Sequence, residues 1–132
     1  MVGSSMGGTA ALTHAHLADR TLAFGPRVDL RATHGAYLPQ EAHSRCAEAI
    51  GGSLRRMRDA SSRSRARGPG TAAVHVGAGN AVDCLQLGLV GGRDGVEAVE
   101  WDTFHHNVPM YLEREGQLVP LVKRELLGLL TS

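Results

Sequence analysis

The chain has 132 residues, 42% hydrophobic and 20% charged, a balance that suits one globular domain and excludes a disordered or fibrous chain. Its formal net charge of +1 provides no global basic field for nucleic acid or an acidic membrane surface. No apolar run approaches the roughly 18 residues of a membrane span, and the two cysteines, Cys46 and Cys84, form no Cys-x-x-Cys pair.

The elements follow in chain order. Residues 1–8 read as a Gly/Ser turn, and a helix is expected over 9–18, where Ala11, Leu12, Ala15 and Ala18 recur at spacings of three and four. Thr21, Leu22, Ala23 and Phe24 make a short apolar strand, stopped by Gly25-Pro26. Residues 27–39 show no period and contain Gly35 and Pro39, so they read as loop. A helix is expected over 41–60, with Cys46, Ala49, Ile50, Leu54 and Met57 on one side, although Gly51 and Gly52 each oppose it by about 1 kcal/mol. Residues 61–70 are polar, Arg-rich and end Gly-Pro-Gly, the mark of an exposed connection.

A second buried strand is expected over 71–76, ended by Gly77 and Gly79. A helix over 80–90 places Val82, Leu85, Leu89 and Val90 near one face, and Gly91-Gly92 closes it. Val96 to Trp101 reads as a third strand, and 102–107 as a loop. The last helix, 108–130, carries Leu112, Leu118, Leu121, Leu126 and Leu129, with Gly116 and Pro120 expected to divide it. Helices alternating with short apolar strands predict an α/β fold, a three-stranded parallel sheet with flanking helices and right-handed crossovers. Such a sheet is narrow, and a parallel sheet needs both faces covered.

Gly3-Ser4-Ser5-Met6-Gly7 matches G-x-S-x-G, the strand-to-helix turn that presents a serine nucleophile. Side chains two residues before and after the serine would collide in so sharp a turn, so both positions call for glycine. Gly8 then lets the following helix approach the sheet closely. The turn sets Ser5 at a helix N-terminus, where free N–H groups favour developing negative charge, and the Met6 N–H is expected to serve as an oxyanion donor. A short motif in a glycine-rich chain is weak alone; the bland alternative is a Gly/Ser turn with Ser4 or Ser5 as N-cap.

The stretch Val2-Gly3-Ser4-Ser5-Met6-Gly7-Gly8, with Ala10-Ala11-Leu12 behind it, resembles the elbow of the α/β-hydrolase superfamily, and Leu22-Ala23-Phe24-Gly25-Pro26 is similar to the strand that follows it there. The resemblance covers essentially the whole chain, as the carboxyl-terminal portion of that fold from the elbow onward. It implies an acid in the turn after the next strand and a histidine after the last one. Asp83 and His105-His106 occupy those places, giving the order Ser, Asp, His. In that arrangement the histidine takes the serine proton and Asp83 orients the imidazole and stabilises its cation. Asp83 also suits a helix first turn capped by Asn80, and Asp94 and Asp102 are rival acids. His106 is preferred over His105 because His106-Asn107-Val108 leads into the last helix.

The resemblance further implies strands ahead of the elbow, and a loop among them that supplies a second oxyanion N–H, where only Met1-Val2 precede Gly3. A truncated hydrolase domain is therefore expected, inactive or weakly active alone, with a small-molecule acyl substrate and a sheet edge open to self-association. The alternative is a non-catalytic remnant or interaction module that keeps half of the fold. No cofactor, metal, nucleic acid or membrane partner is expected, and free thiols with no signal-peptide pattern predict a cytoplasmic location.

Competing constellations are weaker. Val76-Gly77-Ala78-Gly79-Asn80-Ala81-Val82 resembles a dinucleotide loop, but Val82 stands where the third glycine belongs. Arg55, Arg56, Arg58, Arg63, Arg65 and Arg67 form a basic cluster without interleaved aromatics, which reads as a solvated segment rather than an RNA grip. His14 and His16, two apart on a helix, point to different sides and make poor metal partners.

Overall fold

A computed structural model of the chain describes residues 1–29, 40–59 and 68–128. Its elements are β1 (Val2–Ser4), α1 (Met6–Thr13), a 3₁₀ turn (Ala15–Leu17), β2 (Arg20–Phe24), α2 (Gln40–Arg58), β3 (Thr71–Gly77), α3 (Ala81–Gly88), β4 (Val96–Trp101), α4 (Val108–Arg114) and α5 (Leu118–Leu127). The strands form one parallel sheet in the order β1-β2-β3-β4. Residues 30–39 of the loop expected over 27–39, the Arg63, Arg65 and Arg67 stretch and Leu129 lie outside the described residues.

The sheet has four strands where three are expected from the sequence. Val2, Gly3 and Ser4 pair with Leu22, Ala23 and Phe24 of β2. The Leu22 N–H donates to the Met1 carbonyl at 2.8 Å, and the Ser5 N–H to the Phe24 carbonyl at 2.8 Å, so the ladder reaches the elbow itself. Three residues are too few to leave a periodic signature, so this strand exists through its partner rather than through its pattern.

The two-residue alternation of the strands distributes their side chains to two cores. Ala23, Ala72, Val74 and Val76 face one side, where Leu12 of α1, Ile50, Leu54 and Met57 of α2 and Leu87 of α3 cover them. Leu22, Phe24 and Ala73 face the other, under Val108 and Leu112 of α4 and Leu121 of α5. The coverage that a parallel sheet requires comes from the two C-terminal helices. Gly116, at φ +69°, divides them, and the Gln117 N–H closes on the Leu112 carbonyl at 2.8 Å. Pro120 breaks nothing, because it sits in the first turn of α5, where no intrahelical N–H bond is lost. Among the described residues, no helix is long and apolar enough to cross a membrane.

Candidate active site

The site lies at the carboxyl ends of the strands, where open α/β sheets place their ligands. Ser5 follows β1, Asp83 lies in the first turn of α3 behind β3, and His106 is in the loop behind β4. Ser5 adopts φ 56° and ψ −120° and is the one non-glycine residue at positive φ among those described. Such backbone strain persists where the surroundings over-determine it. Here both flanks are held: the Ser5 N–H by β2, and the Ser5 carbonyl by the Thr9 N–H at 3.1 Å.

Ser5 stands at the N-cap position of α1, yet its hydroxyl makes no capping bond. Its Oγ lies 2.9 Å from Nε2 of His106, and Nδ1 of the same ring lies 2.7 Å from Oδ2 of Asp83. A carboxylate only accepts, so Nδ1–H donates to Asp83, Nε2 is left as the acceptor, and the Ser5 hydroxyl donates to it. Serine, imidazole and carboxylate thus form one directed line within direct hydrogen-bond distance.

The two readings of Asp83 are compatible. Asn80 caps α3, with its side-chain oxygen accepting from the Asp83 N–H at 3.0 Å. The fully buried Asp83 carboxylate does not reach back to the cap; it meets His106 and, on Oδ1, the guanidinium of Arg27. Arg27 escaped the sequence reading because it falls in an aperiodic stretch directly after Gly25-Pro26. The rival acids lie elsewhere: Asp94 pairs with Arg58 at 3.0 Å, and Asp102 is exposed. The ring of His105 rests on Phe104 instead, with centroids 4.5 Å apart.

Glycines make room for this geometry. A Cβ on Gly3 would run into the backbone of Gly7, and a Cβ on Gly8 would press on the carbonyls of Gly3 and Phe24 at 3.3 Å. A Cβ on Gly7 would meet nothing within 4 Å. The requirement expected at both flanks of the serine therefore falls on Gly3 alone: the +2 residue is needed as a close backbone, and its own side-chain position is open. Gly25, at φ +54°, sits under the His106 ring, and a Cβ there would stand 2.9 Å from Cε1. Gly77 and Gly79 are filled by Thr103 and Phe104, so the turn that resembles a dinucleotide loop packs against the histidine loop.

The Met6 N–H opens α1 and, among the described residues, has no hydrogen-bond partner. Met6 is an exposed residue directly after Ser5, the position expected of an oxyanion donor. A cleft of about 1000 Å³ lined by Arg20, Thr71, Arg124 and Glu125 lies at the opposite ends of the strands. Two of its charged groups are committed to each other, with Arg20 Nη2 2.6 Å from Glu125 Oε2. The described His, Cys, Asp and Glu side chains form no group of three or more suited to a metal ion. The His14 and His16 rings are 6.5 Å apart, and His16 Nδ1 lies 3.0 Å from Ser53 Oγ. Cys46 and Cys84 are free thiols.

No family model, curated protein or solved structure matches the chain.

Proposed function

We propose that the chain is a serine hydrolase built on the carboxyl-terminal portion of an α/β-hydrolase fold, cleaving an ester or related acyl bond of a small molecule through an acyl-serine intermediate. One observation carries this reading: the unbroken line from the Ser5 hydroxyl through His106 to the buried Asp83 carboxylate, with the serine on the strained turn between β1 and α1. A serine used only as a helix cap would direct its oxygen at the N–H groups of α1, and Ser5 does not.

The chemistry follows from the geometry. As Ser5 Oγ attacks the acyl carbon, its proton passes to Nε2 of His106, and Asp83 stabilises the resulting imidazolium. The carbonyl oxygen takes up negative charge and is met by the Met6 N–H. Collapse of the tetrahedral intermediate breaks the bond to the leaving alkoxide, which receives the His106 proton. Water then attacks the acyl carbon, giving its proton to His106, and collapse releases the acid as His106 returns that proton to Ser5 Oγ. The Met6 N–H supplies one oxyanion donor beside Ser5, and acyl transfer that lacks a second is slower by about 10²–10³-fold. Ester turnover by the chain alone is therefore expected to be slow, while stoichiometric acylation-type chemistry at Ser5 proceeds.

A fluorophosphonate probe tests this directly. Covalent labelling of Ser5, located by peptide mass spectrometry and abolished by both Ser5→Ala and His106→Ala, is the expected result. A folded chain that takes no label would overturn the proposal and favour a non-catalytic interaction module.

A further inference from the structure

We infer that Arg27 is the positioning residue of the site: it fixes the Asp83 carboxylate so that Oδ2 is presented to His106. The inference rests on the serine-hydrolase reading above.

Asp83 is fully buried, and its two oxygens have separate donors, His106 Nδ1–H on Oδ2 and Arg27 Nη1–H on Oδ1. With Oδ1 unpaired, a buried charged oxygen would lack a donor, a state costly enough to turn the carboxylate toward whatever donor it could find. His106 would then lose the partner that holds its Nδ1 tautomer, and Nε2 would no longer be kept as the acceptor for Ser5.

The backbone around Arg27 is held by side chains from three helices, two of them buried polar residues. Thr9 of α1, 6% exposed, accepts from the Arg27 N–H at 2.8 Å and donates to the Arg27 carbonyl at 2.9 Å through the same hydroxyl. Gln86 of α3, fully buried one turn beyond Asp83, accepts from the Val28 and Asp29 N–H groups at 2.7 and 2.8 Å and donates to the Asp29 carbonyl at 2.9 Å. Cys46 Sγ of α2 lies 3.6 Å from the Arg27 carbonyl. Thr9 in turn bonds the Ser5 carbonyl through its own N–H. The contacts close a ring: Ser5 to His106, His106 to Asp83, Asp83 to Arg27, Arg27 to Thr9, and Thr9 back to Ser5. Nucleophile and acid are thereby tied to each other by a second route that does not pass through the imidazole. A stretch with no regular secondary structure would not recruit two buried side chains, Thr9 and Gln86, for solvent-facing purposes.

Fluorophosphonate labelling kinetics on the 132-residue chain test the role. Arg27→Met is expected to lower the maximal labelling rate by about 10–10²-fold with the probe's half-saturating concentration unchanged, as for a misaligned rather than an unoccupied site. Arg27→Lys is expected to recover most of that loss, because only one N–H of the guanidinium is used on Oδ1. The low-field proton resonance of His106 Nδ1–H should vanish in Arg27→Met and return in Arg27→Lys. Should Arg27→Met fail to fold, Thr9→Val loosens the same backbone without leaving a charge unpaired, and slower labelling is again expected. Wild-type rates in Arg27→Met or Thr9→Val, or no recovery in Arg27→Lys, would overturn the positioning role while leaving the hydrolase reading intact. Absence of label on the wild-type chain would overturn both.

Discussion

Ser5, Gly3 and Gly25 concentrate the steric demands of the site. Ser5 carries a positive φ that L side chains adopt at a cost of about 1–2 kcal/mol, and Gly3 tolerates the backbone of Gly7 where any Cβ would overlap it. Gly25 is the less visible participant. It ends β2, pairs its N–H with the His75 carbonyl at 2.9 Å, and leaves the space above it to the His106 ring. Gly25→Ala is expected to destabilise the fold by about 1–2 kcal/mol through its positive φ, and to slow labelling of Ser5 by about 10²-fold by displacing the imidazole. Gly7→Ala, by contrast, should leave the unfolding free energy unchanged or raise it by up to about 1 kcal/mol, because alanine suits a helical position with open space beside it. Urea unfolding of both variants, with labelling kinetics on the first, checks the pair.

Among the elements, β3 has the most to reconcile, since it is buried on both faces and carries a histidine. His75 lies between Phe24 of β2 and Trp101 of β4, with ring centroids 5.0 and 6.1 Å away, and its Nδ1 accepts from the Trp101 indole N–H at 3.1 Å. Burial lowers its pKa to about 4 from an ordinary value of 6.5; Glu125 and Glu97 oppose the shift, and Arg20 and Arg124 add to it. A histidine that resists protonation when folded binds more protons in the unfolded chain between those two values. The stability it supports is therefore complete above about pH 6.5, falls as the pH drops, and levels off below about pH 4. The loss is on the order of 3 kcal/mol. His75→Leu should flatten this part of the stability-versus-pH curve relative to the wild type; equal slopes in urea titrations at pH 7 and pH 4.5 would show that His75 is not its source. The same strand explains why the sequence shows β3 readily while missing β1: in seven residues, Thr71–Gly77, Ala72, Ala73, Val74 and Val76 leave an apolar run interrupted only by His75, and three residues leave none.

For the molecule as a whole, the second core decides whether the site is assembled. Val108 and Leu112, both fully buried, seat α4 on Leu22, Phe24 and Ala73, and the loop bearing His106 enters that helix through the Asn107 cap. Leu112→Ala is expected to destabilise the fold by about 2–5 kcal/mol, the usual cost of emptying a leucine site in a core. Leu127→Ala, at a residue 48% exposed, should change stability by less than about 0.5 kcal/mol. Thermal or urea unfolding separates the two; equal effects would mean that α4 is not held as described.

The residues alone determined the alternation of strands and helices from β2 to β4, the sharp glycine-flanked turn over Gly3–Gly7, and the order of Ser5, Asp83 and His106 along the chain, because periodicity and turn chemistry are local properties. They also left Asp83 divided between a helix cap and a partner for histidine, and preferred His106 over His105 without showing which ring meets that carboxylate. Only tertiary structure could decide those matters, since they depend on which side chains meet across 101 residues of separation between Ser5 and His106 and 23 between Asp83 and His106. Arg27 belongs to the same class: its role comes from Thr9 and Gln86, which lie 18 residues away and, from Val28, 58. A hydrogen-bond ring drawn from the ends of several elements has no period to betray it, and exists only once the strands have set those ends side by side.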